Sequence, residues 1–362
     1  MKEPVLVIGG GPAGMALALA LHQRGVSSRI VDSRPRGAAK GDARILALSY
    51  GSRLILENLG VWGNIPHTPI ATIHVSHQGG LGRTRIRAAE ENVPALGYVL
   101  VAGDLATVLD TTLARHGMTF DDNTAAPAHP NSALIVHAEG HIDNSNDVAD
   151  IRSRDYGQHA VICMARADAP HRGVAWERFT PAGPVALLPC KDAYAVVMTC
   201  PAAASEAIAK TDDSHFLALL QECLGAHVQL TAVGPRLVYP LGLRMRRHPV
   251  VGREVWIGNA AQTLHPVAGQ GFNLALRDIS ELADVLTDAT DPGDARLLAR
   301  YAAGRRIDRI STVGITDGLV RLFSNDSAPL RHLRGAGLLA LDLIPAARSF
   351  LARRMMFGAR GW

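Results

Sequence analysis

The sequence contains few of the residues that mark metal sites, redox motifs or disulfide-rich scaffolds. Its 362 residues include only four cysteines, and Cys163, Cys190, Cys200 and Cys223 lie too far apart for the close pairs of zinc or redox motifs. We therefore expect reduced structural thiols, no bound metal and a cytoplasmic location, where thiols stay reduced.

Long hydrophobic runs are also missing. The most apolar late segment, residues 335–347, is interrupted by Asp342 and Pro345, and it is shorter than the roughly 20 apolar residues of a spanning helix. The chain enters a predicted strand at Val5, without the charged region, apolar stretch and cleavage site of a secretory leader. We expect neither a transmembrane helix nor secretion.

Charge of one sign does not dominate either. The formal net charge is +4, and the 37 Lys and Arg residues are scattered, with local clusters only at residues 244–247 and 353–354. This balance is typical of a solvated basic surface, with an anionic partner or a membrane surface as the alternative, and we expect no nucleic-acid partner. At 362 residues and 48% hydrophobic content, the chain is long enough for about two domains of a soluble enzyme.

The first informative stretch follows a short apolar run at residues 5–8, which is typical of a parallel strand buried on both faces. Gly9, Gly11 and Gly14 then form the pattern G-x-G-x-x-G at the start of an Ala- and Leu-rich helix. Such glycines allow a tight turn, the close approach of a pyrophosphate and helix–strand packing.

A second predicted strand ends in an acidic residue, as dinucleotide-binding folds require. Asp32, followed by Ser33, comes 32 − 14 = 18 residues after Gly14, close to the spacing at which a carboxylate binds an adenosine ribose. Strand, glycines, helix, strand and acid in this order predict dinucleotide binding. The motif alone does not choose between NAD and FAD.

A second glycine-rich loop lies between a predicted strand at residues 254–257 and a predicted helix that begins near Asn273. Gly269 and Gly271 allow the backbone to approach a ligand closely. The unpaired N–H groups and positive dipole end of the helix favour negative charge on that ligand. Two such loops in one chain suggest a single FAD that spans the domain.

The motifs together resemble a known family along almost the whole chain. The matching segments are residues 9–14, 42–48, 59–62, 73–76, 95–99, 177–180, 183–184, 187–189, 258–278 and 316–320. They resemble the group A FAD-dependent aromatic monooxygenases of the para-hydroxybenzoate hydroxylase fold, and most closely the 2-polyprenyl-6-methoxyphenol hydroxylases of ubiquinone biosynthesis. Of these segments, residues 258–278 are the most specific.

The resemblance implies a chemistry that needs few protein acids or bases. FAD is reduced by NAD(P)H as co-substrate and then activates O2 to hydroxylate an electron-rich ring, here that of a prenylated phenol. Three other hypotheses remain open: a hydroxylase of another aromatic substrate, a flavin reductase or dehydrogenase, and a non-catalytic flavoprotein subunit of a biosynthetic complex.

The resemblance also implies roles for single residues. It predicts cofactor contacts from Gly9, Gly11, Pro12, Ala13, Gly14, Asp32, Ser33, Arg44, Glu139, Asn259, Gly269, Gly271, Phe272 and Asn273. His265 and Pro266 are expected beside the flavin as catalytic candidates, although a histidine that shapes the loop is the alternative. Leu187 and Pro189 are expected to face the substrate ring in a mostly apolar pocket, with a buried strand as the alternative.

Two features depart from the family pattern. Glu139-Gly140 stands where the wider fold usually has Asp-Gly, a motif linked to the use of both FAD and the nicotinamide cofactor. The connection at residues 117–132 is short, which predicts a trimmed β-layer. The use of NAD(P)H therefore rests on the resemblance alone.

The predicted fold class is α/β, with a Rossmann-like FAD-binding domain, an inserted, mainly antiparallel substrate sheet and a C-terminal helical region. The predicted boundaries give FAD-binding parts at 1–69, 98–159 and 241–294, substrate-domain parts at 70–97 and 160–240, and a helical region at 295–362. In the last of these, apolar positions alternate with arginines from Gly335 onward. We expect it to contact the inner membrane surface or subunits of a ubiquinone-biosynthesis complex, with plain helical packing as the alternative.

Overall fold

The computed structural model describes residues 4–79, 82–127, 132–142, 150–265, 269–323 and 328–359. Its strands are β1 Val5–Ile8, β2 Ser28–Val31, β3 Ile45–Ser49, β4 Thr68–Ile70, β5 Thr72–His77, β6 Arg83–Arg87, β7 Gly97–Val101, β8 Phe120–Asp121, β9 Ile135–His137, β10 Ile151–Ala167, β11 Val174–Thr180, β12 Gly183–Cys190, β13 Ala193–Pro201, β14 Leu230–Val233, β15 Leu237–Arg246, β16 Val250–Val251, β17 Glu254–Trp256 and β18 Gln262–Thr263. Its α-helices are α1 Pro12–Gln23, α2 Tyr50–Asn58, α3 Ala102–Arg115, α4 Ala202–Lys210, α5 Asp213–Leu224, α6 Gly271–Val285, α7 Ala295–Phe323, α8 Ala328–Leu343 and α9 Pro345–Phe357.

The glycine motif lies at the centre of a six-stranded sheet with the order β16-β17-β9-β1-β2-β8. β1 pairs in parallel with β2 and β9, and β17 pairs in parallel with β9. The four residues of β1 are buried, as a strand covered on both faces requires. Helices α1, α3 and α6 pack into the same core, which confirms the predicted Rossmann-like FAD-binding domain.

The predicted antiparallel sheet is also confirmed. Its order is β18-β15-β10-β13-β12-β11-β5-β6, with β14 added on β10. The 17-residue strand β10 pairs with β13, β14 and β15, and only β5 and β11 run in parallel. Helices α4 and α5 cover one face of this sheet, where Phe216 and Leu220 are fully buried.

Several predicted domain boundaries fall inside strands and not between them. Boundaries 69/70, 97/98, 159/160 and 240/241 fall inside β4, β7, β10 and β15. A third sheet, β3-β7-β4, contacts β12 of the antiparallel sheet on one side and helices α3 and α6 of the FAD-binding domain on the other. Turn residues mark local chain reversals, but a strand that runs from one sheet toward the next has no such mark in sequence.

The C-terminal region is helical, as predicted, and α7 is joined to α6 by buried ion pairs. Arg305 contacts Asp278 at 2.7 Å and Asp308 at 2.8 Å, and Arg277 contacts Asp308 at 2.8 Å. Helix α8 then lies against β5 and β6, and α9 lies against α2. The three helices thus cover the side of the antiparallel sheet opposite α4 and α5.

Within the described ranges, no single helix is long and apolar enough to cross a membrane. The segments Gly335–Leu343 and Pro345–Phe357 satisfy length and composition only when taken together, and they are bent by 101° relative to each other.

Candidate functional site

The glycine loop after β1 is shaped by backbone contacts that only glycine permits. Gly9 has φ +107°, and a Cβ there would lie 2.6 Å from the carbonyl carbon of Ala138. A Cβ on Gly14 would lie 1.9 Å from the Gly9 carbonyl oxygen, so this glycine allows α1 to pack on β1. By contrast, a Cβ on Gly11 would meet nothing within 4 Å, which leaves an open side above the loop.

Two helix N-termini converge at this open side. Helix α1 starts at Pro12 behind Gly11, α6 starts at Gly271 behind Gln270, and neither N-cap residue makes a side-chain capping hydrogen bond. A Cβ on Gly258 would lie 3.2 Å from Ala275 of α6 and 3.8 Å from Ala13 of α1. Gly258 therefore lies between the two helices, and Asn259 follows it in the chain. The N–H groups and dipole at a helix N-terminus favour an anionic ligand.

Asp32 is nearly buried at the end of β2. Its carboxylate accepts hydrogen bonds from the Gly10 N–H at 2.7 Å and from the Arg34 N–H at 2.8 Å, and it pairs with the Arg34 guanidinium at 3.0 Å. Burial raises the pKa of Asp32, but these hydrogen bonds outweigh burial and hold the pKa below its ordinary value. The carboxylate is thus ionised beside the glycine loop, and Ser33 next to it is exposed.

Arg44 precedes β3, and its side chain lies on Asp42. The Arg44 Nε donates to Asp42 Oδ1 at 2.9 Å, and the side chain remains more than half exposed. The structure therefore places Arg44 in a local ion pair, from which a guanidinium on the surface can reorient toward a stronger anion.

Asn273 joins the second glycine loop to β3 and α2. Its Oδ1 accepts hydrogen bonds from the Ser49 N–H at 2.8 Å and the Ser52 hydroxyl at 2.6 Å. Its Nδ2 donates to the carbonyls of Ala47 at 3.0 Å and Gly269 at 2.6 Å. The side chain is therefore fully used in fixing the loop, and only the backbone of this segment is left for a ligand.

The glycines of this loop have different surroundings. Gly269 has φ +59°, and a Cβ there would lie 3.3 Å from Ala47. A Cβ on Gly271 would meet nothing within 4 Å, so the first turn of α6 is open like that of α1. Phe272 is partly buried and packs against the main core.

His265 is 1% exposed, and its ring packs edge-on against Tyr156 with 5.7 Å between centroids. Burial lowers the pKa of His265 to about 4, so the imidazole is neutral at physiological pH. The Tyr156 hydroxyl donates to Asp317 at 2.8 Å, which links the loop to α7. Pro266 lies outside the described residues.

Glu139 belongs to a group that sequence reasoning did not find. The ring of His137 contacts Glu139 through Nδ1 at 3.0 Å and Glu254 through Nε2 at 2.9 Å, and it stacks on Trp256 at 4.7 Å. Burial lowers the pKa of His137, but the two carboxylates outweigh burial and hold the pKa above its ordinary value. Because a Cβ on Gly9 would lie 2.8 Å from the Glu139 N–H, this group directly adjoins the glycine loop.

A cavity of about 450 Å³ adjoins the α6 end of this site. Gly269, Gln270 and Asn273 line it on the side of the second glycine loop. The other walls are mostly apolar and come from the antiparallel sheet and from helices α7 to α9; their apolar residues include Ile73, Val75, Ile86, Phe179, Ala186, Leu188, Ile315, Leu319, Leu338, Leu341, Leu351 and Met355. Such a space suits an apolar ligand with a long tail.

The two predicted substrate residues are not among those that line this cavity, and the prediction for Leu187 is wrong. Leu187 is fully buried on the opposite face of β12, in the core with Phe216 and Leu220. Alternate residues of a strand project to opposite faces of the sheet. Pro189 is also buried and lies two residues after Leu187, on the same face, whereas Ala186 and Leu188 line the cavity. β12 is apolar at every position from 184 to 189, so its sequence does not show which face meets a ligand.

One carboxyl side chain stands out among the cavity walls. Glu177 on β11 lines the cavity, and its Oε1 is buried without a hydrogen-bond partner among the described residues. Burial raises the pKa of Glu177 to about 7. In the sequence, Glu177 is identifiable only as part of a family segment, because nothing in a strand pattern shows that an acid points inward.

The arrangement fits FAD and does not suggest a metal. Two uncapped helix N-termini with open glycine sides suit a pyrophosphate and a flavin that becomes negatively charged, and Asp32 beside the loop suits a ribose. In the part of the chain that the structure describes, no group of three or more His, Cys, Asp or Glu side chains could hold a metal ion.

Sequence comparison agrees with this geometry. The family model of the FAD binding domain matches residues 2–154 and 148–309. A ubiquinone hydroxylase, UbiL, from Rhodospirillum rubrum is 34% identical over 97% of this chain and 89% of its own length. The 3-demethoxyubiquinol 3-hydroxylase of Escherichia coli is 28% identical over 93% of this chain and 94% of its own length.

Solved structures show the same fold. The p-nitrophenol 4-monooxygenase PnpA of Pseudomonas putida has a TM-score of 0.76 and 16% identity, with 99% of each chain covered. HpxO of Klebsiella pneumoniae, solved in complex with FAD, has a TM-score of 0.75 and 15% identity, with 97% of this chain and 99% of the other covered. The predicted resemblance is thus confirmed, and the chain belongs to the family of FAD-binding monooxygenases.

Proposed function

We propose that the protein hydroxylates the aromatic ring of a polyprenyl phenol in ubiquinone biosynthesis. The observation that supports this most directly is the apolar cavity of about 450 Å³ that adjoins the first turn of α6. A ring placed at that turn would leave its tail among the apolar side chains of the sheet and of α7 to α9. The names of the relatives, ubiquinone hydroxylase and 3-demethoxyubiquinol 3-hydroxylase, support the same substrate class.

When bound, FAD supplies redox chemistry: it takes electrons from NAD(P)H and activates O2. The chain's own residues hold and shield the cofactor. We propose that the backbone at Gly9, Gly11, Pro12, Ala13 and Gly14 holds the pyrophosphate, Asp32 and Ser33 the ribose, Arg44 and Asn259 the middle of the cofactor, and Gly269, Gly271, Phe272 and Asn273 the flavin ring. The first turn of α6 would stabilise negative charge on that ring without any side-chain proton transfer.

Glu139 has a positioning role in this proposal. Its carboxylate is hydrogen-bonded to His137, which Glu254 holds from the other side. The group therefore fixes the strand end that lies against Gly9. NAD(P)H use itself is supported by the family and is part of the proposal.

Hydroxylation is tested on the holoenzyme with NADH or NADPH, O2 and a short-chain prenylated phenol. We expect the phenol to accelerate NAD(P)H oxidation and to appear as a hydroxylated product in mass spectrometry. Rapid NAD(P)H oxidation that yields only hydrogen peroxide would contradict the proposal. Complementation of strains that each lack one ring hydroxylase would then identify the ring position from the quinone precursor that disappears.

The same proposal places the protein at the cytoplasmic surface of the inner membrane. Four large apolar side chains of α8, α9 and their junction are exposed: Leu339 (49%), Leu343 (70%), Ile344 (50%) and Phe350 (63%). Because these helices also line the cavity, a lipid-soluble tail could enter directly from the bilayer. We expect Leu343→Glu with Phe350→Glu to abolish flotation with anionic liposomes. A wild type that never floats would contradict this membrane contact.

A further inference from the structure

The cavity has a floor made by one row of side chains that crosses five strands. Val75 pairs with both Thr84 and Glu177, Glu177 pairs with Ala186, and Ala186 pairs with Val197. Paired residues in a sheet project to the same face, and all five line the cavity. Glu177 therefore lies in the middle of this row, with apolar residues on both neighbouring strands.

The partly buried Glu177 side chain has one buried carboxylate oxygen that lacks the partner such an oxygen normally has. Its Oε1 is buried and meets no donor among the described residues. Leaving a polar oxygen buried and unpaired is costly, and most such groups in folded proteins are satisfied. The second carboxylate oxygen, Oε2, is not among these buried atoms, so a ligand in the cavity can bring a donor to this carboxylate.

The charged groups around Glu177 do not supply that donor. Its strand neighbours Trp176 and Arg178 project to the opposite face, where Arg178 donates to Ser76 at 3.3 Å. Helices α7 and α8 present apolar side chains to the cavity. On α9, Arg348 is the other charged residue of the lining, and it contacts Glu90 at 3.2 Å and the Asp342 carbonyl at 2.9 Å.

We propose that the Glu177 carboxylate accepts a hydrogen bond from the ring hydroxyl of the substrate and thereby orients the ring in the cavity. This inference rests on the proposed function and deepens it, since it makes a free phenolic hydroxyl a requirement for tight binding. A ring whose hydroxyl is blocked as a methyl ether has no proton to donate, and its binding would leave the Glu177 carboxylate unpaired. Glu177 thus discriminates between substrates in a cavity that is otherwise apolar.

The test uses the FAD-loaded protein and two probes, a short-chain prenylated phenol and its methyl ether. Each is titrated while the flavin absorbance is followed, which gives a Kd without turnover. We expect the wild type to bind the phenol about tenfold more tightly than the ether, the size of a hydrogen bond to a charged acceptor. Glu177→Leu should reduce this ratio to nearly one while leaving the ether affinity within about twofold.

Thr84→Val is the matched control, because Thr84 Oγ1 is also buried and unpartnered in the same row but lies two strands from Glu177. We expect Thr84→Val to keep the tenfold ratio. A Glu177→Leu protein that keeps the ratio, or a Thr84→Val protein that loses it, would overturn the inference while leaving the proposed hydroxylation intact. Failure of the wild type to bind either probe or to form product would instead overturn the proposed function, and the inference with it.

Glu177→Gln keeps the test decisive if Glu177→Leu does not bind FAD. In the wild type, the preference for the phenol should grow between pH 6 and pH 8, because the carboxylate ionises around its pKa of about 7 and then accepts more strongly. Glu177→Gln should show a smaller preference that does not change with pH. His265, with a pKa of about 4, does not titrate in this range. A pH-dependent preference of wild-type size in Glu177→Gln would assign the effect to another group.

Discussion

At the scale of single residues, two glycines of the first loop have different roles, one in packing and one in leaving space for the ligand. Gly14 allows helix–strand packing, because a Cβ there would lie 1.9 Å from the Gly9 carbonyl oxygen, whereas Gly11 faces open space. Gly14→Ala should therefore destabilise the apoprotein by several kcal/mol through overpacking. Gly11→Ala should leave the apoprotein melting temperature within about 2 °C and weaken FAD binding by tenfold or more, because its methyl group occupies the ligand side.

Thermal unfolding of both apoproteins and fluorescence titration with FAD provide the two measurements. Gly25→Ala is unsuitable as a control because of its positive φ, but Gly63→Ala, which also faces open space, is suitable. Normal FAD binding by Gly11→Ala would contradict the placement of the pyrophosphate at α1.

Glu177 also has a consequence for stability that does not depend on any ligand. Burial raises its pKa from 4.5 to about 7, so the folded state binds this proton more tightly than the unfolded state. The associated stability is fully present below pH 4.5 and is lost as the pH rises to about 7. Glu177→Gln should therefore stabilise the apoprotein at pH 8 relative to the wild type, by about 3 kcal/mol at most.

Urea unfolding at pH 5 and pH 8 measures this effect. The gain should be much smaller at pH 5, where the folded wild type already keeps the proton. Glu206→Gln on the exposed face of α4 serves as the control and should change stability by less than about 0.5 kcal/mol at both pH values. An equal gain at both pH values would show that the Glu177 carboxyl titrates normally.

At the scale of secondary-structure elements, Asn273 holds α6 to β3 and α2 through three hydrogen bonds, and a fourth goes to Gly269 in the loop before α6. Asn273→Leu leaves the Ser49 N–H and the Ala47 carbonyl without these partners, so we expect a loss of about 2 to 4 kcal/mol in the free energy of unfolding. FAD affinity should fall as well, because the second glycine loop loses its attachment. Asn58→Leu at the exposed end of α2 should be nearly neutral in both assays.

The attachment of α7 to α6 depends on a buried cation. Arg305→Met removes the salt-bridge partner of Asp278, which keeps only the hydrogen bond from Gln262, and one partner of Asp308. This substitution should cost about 3 to 5 kcal/mol in the free energy of unfolding. Arg306→Met changes the exposed neighbour on the same helix and should cost less than about 0.5 kcal/mol. Equal effects of the two substitutions on urea unfolding would exclude a structural role for the ion network.

The elements that sequence could predict are those with a strong local pattern. The run at residues 5–8, the glycine loop and the amphipathic α6 were predicted within a few residues of their bounds. β3 at Ile45–Ser49 was missed, since its strand character comes from pairing with β7 and not from its own alternation. The prediction that Leu187 faces the substrate chose the wrong face of β12. Both faces of this strand are buried, and only the packing of α5 on one face and α7 on the other distinguishes them.

At the scale of the whole molecule, the cavity exists only where three parts of the chain meet, namely the second glycine loop, the antiparallel sheet and α7 to α9. Gly337 of α8 lines it, and a Cβ there would meet nothing within 4 Å. Gly337→Leu should therefore fill part of the cavity without a clash and should stabilise α8 by about 0.5 to 1 kcal/mol.

The functional measurement for this variant is the dependence of KM on tail length. We expect KM to rise about tenfold for a long-tailed phenol and to stay unchanged for the phenol without a tail. Ala336→Leu, on a neighbouring exposed position of α8, should change neither value. An equal rise for both substrates would mean that the tail does not pass Gly337.

The parallel sheet also has a consequence for the order of events during synthesis. β1 pairs with β9, and β9 pairs with β17. These strands and α6, which packs in the same core, are all present only once the chain has been made as far as Val285. Between Gly14 and Val285 the ribosome adds 285 − 14 = 271 residues, which takes about 14 to 54 s at ~5 to 20 residues per second. The first glycine loop is therefore made long before the second, and the two ends of the FAD site can come together only late in synthesis.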